Sequence, residues 1–115
     1  MTGNTLEDIE REVAGSFKTR LAMSSTMSQL RMAQTKIGTA PLKILILGYR
    51  KLTFEEYEAA AKKFGQPGIQ SLRMMERLSK GQKQYIFKQM GWPLEEVDMT
   101  AEQLAEKYPA PNEGS

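Results

Sequence analysis

The sequence predicts a small all-α domain of four to six helices that opens with a long N-terminal helix. Three observations predict this class. Apolar residues recur at steps of three and four along most of the 115-residue chain. Helix-capping pairs occur at Thr53 with Glu56 and at Thr100 with Gln103. The chain offers no convincing second strand that could satisfy the backbone hydrogen bonds at the edge of a lone strand. Its length is that of one domain.

The long N-terminal helix is predicted from two consecutive apolar series. Thr5 is its candidate N-cap, and the acids that follow lie where the helix dipole favours negative charge. The first series consists of Leu6, Ile9, Val13, Phe17 and Leu21. The second series consists of Met23, Met27, Leu30 and Ile37, with Gln34 filling a gap in the heptad rhythm. One helix from about residue 5 to 37 and two helices broken near Ser24 both fit this pattern.

The second series is a candidate protein interface. A heptad rhythm with a polar residue in its seam is typical of a coiled-coil pair, which would form a homodimer through Met23, Met27, Leu30 and Ile37. The alternative is an amphipathic helix whose apolar side packs on its own domain. The segment is too short for the pattern to separate these two interpretations.

Residues 42–47 are the ambiguous element. This short apolar run with two β-branched residues would suit a buried strand, for which the chain offers no partner strand. A helix opened by Thr39 and Pro41 would instead align one face consisting of Leu42, Leu45, Tyr49 and Leu52. We favour the helix and keep a single strand as the alternative.

Caps and breaks bound the helices that follow. The helix that begins at Thr53 is expected to end at Gly65, before a turn at 66–68. A further helix would run to Leu78 and be followed by a break or kink at 79–81.

A short helix is then expected to end at Gly91, and the last helix is expected to start at Thr100. The predicted organisation is a long helix or helix pair over 1–40 and a compact helical domain over 41–108. A disordered tail is predicted over 109–115.

The composition argues against catalysis. The chain contains no cysteine and no histidine, so disulfides, thiolate metal sites and the usual catalytic triads cannot be built. No glycine-rich phosphate loop of a known type occurs. The acids clustered at Glu55, Glu56 and Glu58 lie where a helix begins, and the helix dipole explains their position. We therefore predict a non-enzymatic protein that has no metal site and no cofactor.

The sequence also suggests a location. The N-terminus is acidic and polar, unlike a signal peptide, and the apolar run at 42–47 is far too short to span a bilayer. We therefore expect a cytoplasmic protein without a membrane partner.

Charge is strongly segregated along the chain. No acidic residue occurs from Val13 to Phe54, and Glu76 is the only acid between Gly65 and Gly91. Cations gathered in this way suit phosphate contacts with a nucleic acid, because neutralising phosphates releases counterions. The predicted nucleic-acid-binding residues are Lys18, Arg20, Arg31, Lys36, Arg50, Lys51, Arg73, Arg77, Lys80, Lys83 and Lys88.

The function predicted from these observations is a small nucleic-acid-associated binding protein. The alternative is a helical protein–protein adaptor or inhibitor with an adaptable apolar surface built from methionines. That surface would consist of Met23, Met27, Met32 and the pair Met74 and Met75. Its basic stretch would then dock an acidic protein partner.

Overall fold

The computed structural model describes the backbone of residues 17–111 and the side chains of residues 26–73, 75 and 77–111. Over this range the chain forms six α-helices and two 3₁₀ helices, with no strand, so the predicted all-α class is confirmed. The elements in chain order are α1 (Phe17–Ile37), α2 (Thr39–Leu47), α3 (Phe54–Phe64), α4 (Gln66–Arg73), η1 (Met74–Arg77), α5 (Lys80–Met90), η2 (Leu94–Asp98) and α6 (Ala101–Lys107).

Helix α1 is continuous through Ser24, so the chain has no break at that position. Its predicted start near residue 5 lies outside the described residues, as does most of the predicted tail at 109–115. Gly38 separates α1 from α2 and has a φ of 97°, a region that favours glycine. Its amide donates to the Gln34 carbonyl at 3.1 Å, so the two helices meet at a one-residue joint.

Helix α2 is the central element of the core. Residues 42–47 lie within it, so the helix prediction is confirmed and the strand alternative is wrong. A helix satisfies its backbone hydrogen bonds internally and therefore needs no partner strand. Its buried apolar side chains are Leu42, Ile44, Leu45 and Ile46. A helix that is apolar nearly all round has no side suited to water, which is why α2 lies inside the domain.

Helices α1, α4 and α5 and the first 3₁₀ helix surround α2. The buried side chains that they contribute are Met27, Leu30, Ala33, Leu72, Met75, Ile86 and Phe87. Trp92, directly after the glycine that ends α5, packs against Phe87 edge to face, with ring centroids 5.0 Å apart. Burial of these apolar groups is the main force that favours the folded chain.

Reciprocal capping boxes begin three of the described helices, at Thr53, Ser79 and Thr100. The first and third agree with the sequence prediction. The sequence predicts a break or kink at 79–81. The structure makes Ser79 the N-cap of α5, and its Oγ accepts a hydrogen bond from the Gln82 amide at 3.2 Å.

Two other boundaries differ from the predictions. Helix α4 begins at Gln66, so the turn expected at 66–68 is helical. Pro67 fits there because the first turn of a helix does not use its amide protons for internal hydrogen bonds. The helix expected to reach Leu78 ends at Arg73 and tightens into the 3₁₀ helix Met74–Arg77.

The end of α5 supplies a test of backbone strain. Gly91 has a φ of 77°, and a Cβ added to it would meet no atom within 4 Å. Gly91→Ala is therefore expected to lower the free energy of unfolding by about 1 kcal/mol through strain alone. Gly91→Asn should cost less, because asparagine tolerates the left-handed region. Urea unfolding of the three proteins measures both costs, and an alanine variant as stable as the parent would contradict this explanation.

Candidate functional site

The segregation of charge along the sequence persists in the folded elements. Helices α1, α2, α4 and α5 contain no aspartate or glutamate. The acids of the described range lie in α3, α6 and the two 3₁₀ helices. The cations that a ligand can reach are therefore those that these acids do not engage inside the fold.

The most deeply buried charges are those of Lys43 and Glu96. Their side chains are 6% and 0% exposed, and Lys43 Nζ lies 2.9 Å from Glu96 Oε1. The Tyr108 hydroxyl donates to Glu96 Oε2 at 2.6 Å and accepts a hydrogen bond from Lys43 Nζ at 2.8 Å. Lys107 Nζ lies 2.6 Å from the same Oε2 atom. One carboxylate thus holds two ammonium groups and a phenol.

Aromatic rings complete the surroundings of Lys43. Its Nζ lies 5.2 Å from the ring centroid of Tyr108, 5.3 Å from that of Trp92 and 5.9 Å from that of Phe87. The negative faces of such rings attract an ammonium group, and most strongly where water is excluded. Lys43 belongs to the acid-free stretch of the sequence, but its charge is neutralised in the interior and is not presented to a ligand.

The titration of this cluster follows from its contacts. Burial alone would raise the pKa of Glu96, but the hydrogen bonds from Lys107, Tyr108 and Lys43 outweigh it and hold that pKa below its usual range. Burial, together with the hydrogen bond to Glu96, raises the pKa of Tyr108 to about 12. The hydrogen bond to Glu96 raises the pKa of Lys107. At neutral pH the carboxylate is therefore charged and the phenol is neutral.

Arg50 and Glu56 form a second internal pair. Arg50 Nη1 and Nη2 donate to the two carboxylate oxygens at 2.9 and 3.0 Å, a bidentate arrangement. Glu56 Oε1 also accepts from the Thr53 amide at 2.8 Å, so the pair is continuous with the capping box of α3. The sequence predicts that Arg50 binds phosphate, but the structure places its guanidinium against Glu56, with the side chain only 19% exposed.

The same contacts set the pKa values of this pair. The hydrogen bond to Glu56 raises the pKa of Arg50. Burial raises the pKa of Glu56, but the hydrogen bonds from Arg50 and Thr53 outweigh it, so the net shift is downward. Tyr108 links the two internal pairs, because its carbonyl accepts hydrogen bonds from Arg50 Nη2 at 3.5 Å and from the Tyr49 hydroxyl at 2.9 Å. Burial raises the pKa of Tyr49.

The other predicted phosphate contacts on α1 and α4 are distributed over the surface. Arg31 is exposed and its Nη2 donates to the Gln89 carbonyl of α5 at 3.4 Å. Lys36 is exposed, and its Nζ lies 5.3 Å from the centroid of the Phe64 ring. Arg73 is half-buried, with its guanidinium 5.1 Å from the centroid of the Tyr57 ring.

Several of the predicted cations lie on or next to α5. Lys80 is exposed and its Nζ lies 2.7 Å from Asp98 Oδ1. Arg77 and Lys88 are also exposed, and Lys83 is half-buried. With Arg31, which reaches the C-terminal end of α5, these residues form a set that we call the α5 cations: Arg31, Arg77, Lys80, Lys83 and Lys88.

Three of the predicted cations lie elsewhere. Lys51 is exposed in the connection between α2 and α3. Lys18 and Arg20 lie on the first turn of α1, and their side chains are outside the described set. The structure therefore brings together only part of the predicted surface.

The predicted protein interface is placed differently from the cations. Met27 and Leu30 are buried in the chain's own core, and Ile37 packs against that core. The side chain of Met23 is outside the described set. In this fold the apolar seam of α1 contributes to packing within the chain, and Met27 and Leu30 do not face solvent.

The methionine surface of the adaptor alternative is likewise divided. Met27 and Met75 are buried, whereas Met32 is 52% exposed. The side chain of Met74 is outside the described set. A different apolar feature lies on α3, where Phe54 is 78% exposed beside an open groove of about 780 Å³. Polar groups of that groove include Glu58 and Lys62.

Two further findings concern the part of the chain that the structure describes. No group of three or more acidic side chains in it could hold a metal ion. No described helix is both long and apolar enough to cross a membrane.

Comparisons with protein-family models, curated proteins and solved structures give no match to this chain.

The cluster around Lys43 is not among the features predicted from the sequence. One feature indicated it, because a lysine inside a continuous apolar run must find a compensating charge if the run is buried. The partners, however, come from η2 and from the end of α6, far along the chain. Local periodicity carries no information about such a pairing.

The buried cluster predicts strong coupling between its charges. Glu96→Gln leaves the Lys43 ammonium buried without a carboxylate, so it is expected to lower the free energy of unfolding by about 3–5 kcal/mol. Adding Lys43→Met removes the uncompensated charge and should restore part of that loss. Denaturant unfolding of the two single variants and the double variant measures the coupling, and strictly additive costs would contradict it.

The Arg50–Glu56 pair predicts a pH dependence of known sign. Because the pKa of Glu56 is lowered in the folded state, its contribution is fully present above the usual glutamate pKa of about 4.3. That contribution is lost as the pH falls through the lower folded value. Glu56→Gln should therefore be less stable than the parent at neutral pH, and the difference should close in acid. Unfolding midpoints measured from pH 7 to pH 2 test this, and a constant difference would contradict it.

Proposed function

We propose that this chain is a small, cytoplasmic, non-enzymatic nucleic-acid-binding protein that contacts phosphates through the α5 cations. The observation that carries the proposal is the absence of any acidic residue from α1, α2, α4 and α5. Positive charge on these helices is not cancelled by neighbours on the same helix. Phosphate binding needs little more than such charge, because the release of condensed counterions supplies most of the affinity.

The internal ion pairs sharpen the separation of exposed charge. Glu56 and Glu96 are the most buried acids of the described range, and Arg50, Lys43 and Lys107 compensate them. Most of the remaining acids are exposed and lie on the first half of α3 and on the segment from η2 to α6. The charged side chains that α5 itself offers a polyanion are therefore all positive, and Asp98 contacts Lys80 at the start of the helix. This favours association that weakens steeply with added salt.

The residues point to phosphate contacts and not to base recognition. An 11-residue helix such as α5 is about 16 Å long, enough to follow several consecutive phosphates. The segment that most resembles the first helix of a helix-turn-helix is α6, and it carries Glu102 and Glu106, which repel a nucleic acid. We therefore propose binding with little sequence preference, in which any base reading comes from a partner.

A protein–protein adaptor is the second candidate. It is favoured by Phe54, a large apolar side chain that is 78% exposed beside the groove on α3. Exposed aromatic groups next to a groove are common anchors of protein interfaces. This candidate predicts no binding of a nucleic acid, so a test of oligonucleotide binding separates the two functions.

Charge neutralisation beside α5 tests the proposal. Arg77→Gln with Lys83→Gln should weaken binding to a labelled oligonucleotide duplex. The slope of log K against the logarithm of the salt concentration should also become shallower, by about 0.9 for each phosphate that the variant no longer neutralises. Lys62→Gln with Lys63→Gln is the matched control, because it removes the same charge from exposed positions at the end of α3. Fluorescence anisotropy at about 50 and 200 mM salt measures both pairs.

Two outcomes would contradict the proposal. If the parent protein shows no binding at about 50 mM salt, where phosphate contacts are strong, the nucleic-acid function is wrong. If both pairs of substitutions weaken binding equally, net charge and not the α5 cations determines the affinity.

A further inference from the structure

Residues 94–108, which comprise η2, α6 and Tyr108, form a unit that we call the acidic C-terminal unit. It contacts cations of two acid-free helices. Glu96 engages Lys43 of α2, and Asp98 engages Lys80 of α5 at 2.7 Å. The most acidic part of the described chain is therefore held directly against cations of the helices that lack acids.

The two contacts differ in burial and therefore in how easily they exchange. The Lys43 and Glu96 side chains are almost completely buried, and separating them would leave charges without compensation. The Lys80 and Asp98 side chains are 56% and 55% exposed, so water can replace either partner at little cost. The first contact is a fixed anchor, and the second is exchangeable.

The anchor determines where the exchangeable carboxylate lies. Glu96 and Asp98 are two residues apart in the same short 3₁₀ helix, so fixing Glu96 keeps Asp98 close to the beginning of α5. The turn at Gly91 brings η2 back towards α5, because the Trp92 amide donates to the Phe87 carbonyl at 2.9 Å. Asp98 is therefore held at Lys80 at a high local concentration.

We propose that Asp98 is an internal competitor for the nucleic acid, occupying Lys80 in the free protein and leaving it when a phosphate binds. The inference rests on the proposed function, because it concerns the regulation of that same site. A carboxylate and a phosphate oxygen present the same chemistry to an ammonium group. A nucleic acid offers many phosphates in a row, so it displaces Asp98 where an isolated anion does not. The contact between Asp98 and Lys80 thereby raises the concentration at which weakly binding, isolated anions occupy Lys80.

The acids beside Asp98 support this role. Glu95 and Glu102 are exposed on the same unit. They add negative charge to the unit that carries Asp98. Removing the Asp98 charge should therefore act through Lys80 itself, whereas removing the Glu102 charge should change only the general field.

A cycle of substitutions tests the competition. Asp98→Asn removes the competing charge without touching the core, and Glu102→Gln is the matched control with the same change in net charge. Binding of each protein to a labelled single-stranded DNA oligonucleotide is measured by anisotropy at about 50 and 200 mM salt. We expect Asp98→Asn to tighten binding about two- to fivefold, the range that an exposed ion pair allows. The slope of log K against the logarithm of the salt concentration should become steeper by about 0.7, the value for one more neutralised phosphate on a single strand.

Lys80→Gln completes the cycle. In that background Asp98→Asn should give no more tightening than Glu102→Gln gives in the parent, because the side chain over which the two anions compete is gone. Thermal unfolding of each variant verifies that the fold is retained.

The outcomes separate the two proposals. If the parent protein binds and Asp98→Asn improves binding no more than Glu102→Gln, the competition is overturned and the proposed function stands. The same holds if the improvement persists without Lys80. If the parent and all variants fail to bind the oligonucleotide, the proposed function is overturned together with this inference.

Discussion

One ammonium group inside the apolar helix α2 constrains how the rest of the described chain can pack. Lys43 is flanked by buried Leu42 and Ile44, so α2 cannot enter the core unless that charge is compensated. Glu96 provides the compensation, at a distance of 2.9 Å. A buried ion pair is weak evidence for stability, because desolvation of both groups opposes their attraction. The pair also ties the C-terminal residues to α2, since Glu96 must lie beside Lys43 for the buried ammonium to be compensated.

The same constraint links the interior to the surface. Tyr108 holds the two internal pairs together, because its hydroxyl contacts Lys43 and Glu96 while its carbonyl accepts from Arg50. Arg50, which the sequence predicts to contact phosphate, is largely withdrawn from solvent by its internal pair, and Lys43 of the acid-free stretch is buried. Most of the α5 cations stay exposed, and the exposed acids lie on the first half of α3 and on the segment from η2 to α6. The charges that remain on the surface are therefore those that do not form ion pairs in the interior.

Local chemistry made much of the fold predictable. The capping boxes at Thr53 and Thr100 marked the starts of α3 and α6, because a cap depends only on residues three positions apart. The choice of helix for 42–47 followed from the absence of a partner strand. The start of α4 at Gln66 was missed because Pro67 suits a turn and the first turn of a helix equally well.

The site was less predictable than the fold for a related reason. Arg50 lies in the connection between α2 and α3, where no periodic pattern predicts the path of the backbone. Its pairing with Glu56, only six residues later, could therefore not be predicted. Met27 and Leu30 were correctly seen as one apolar side of a helix. The sequence could not tell whether that side would pack against the chain's own core or against a second molecule, because either one would offer it an apolar surface. Contacts between distant residues decide such questions.

Burial of Lys43 also has a consequence for the order in which the chain acquires its structure. A ribosome releases α2 well before it has made Glu96 and Tyr108, and until then the ammonium of Lys43 has no carboxylate to enter the interior with. Helices α1 and α2 can form early, but their close association must wait for the residues after α5. Nascent chains that carry all of α5 yet lack η2 should therefore expose the apolar side of α2 to chaperones.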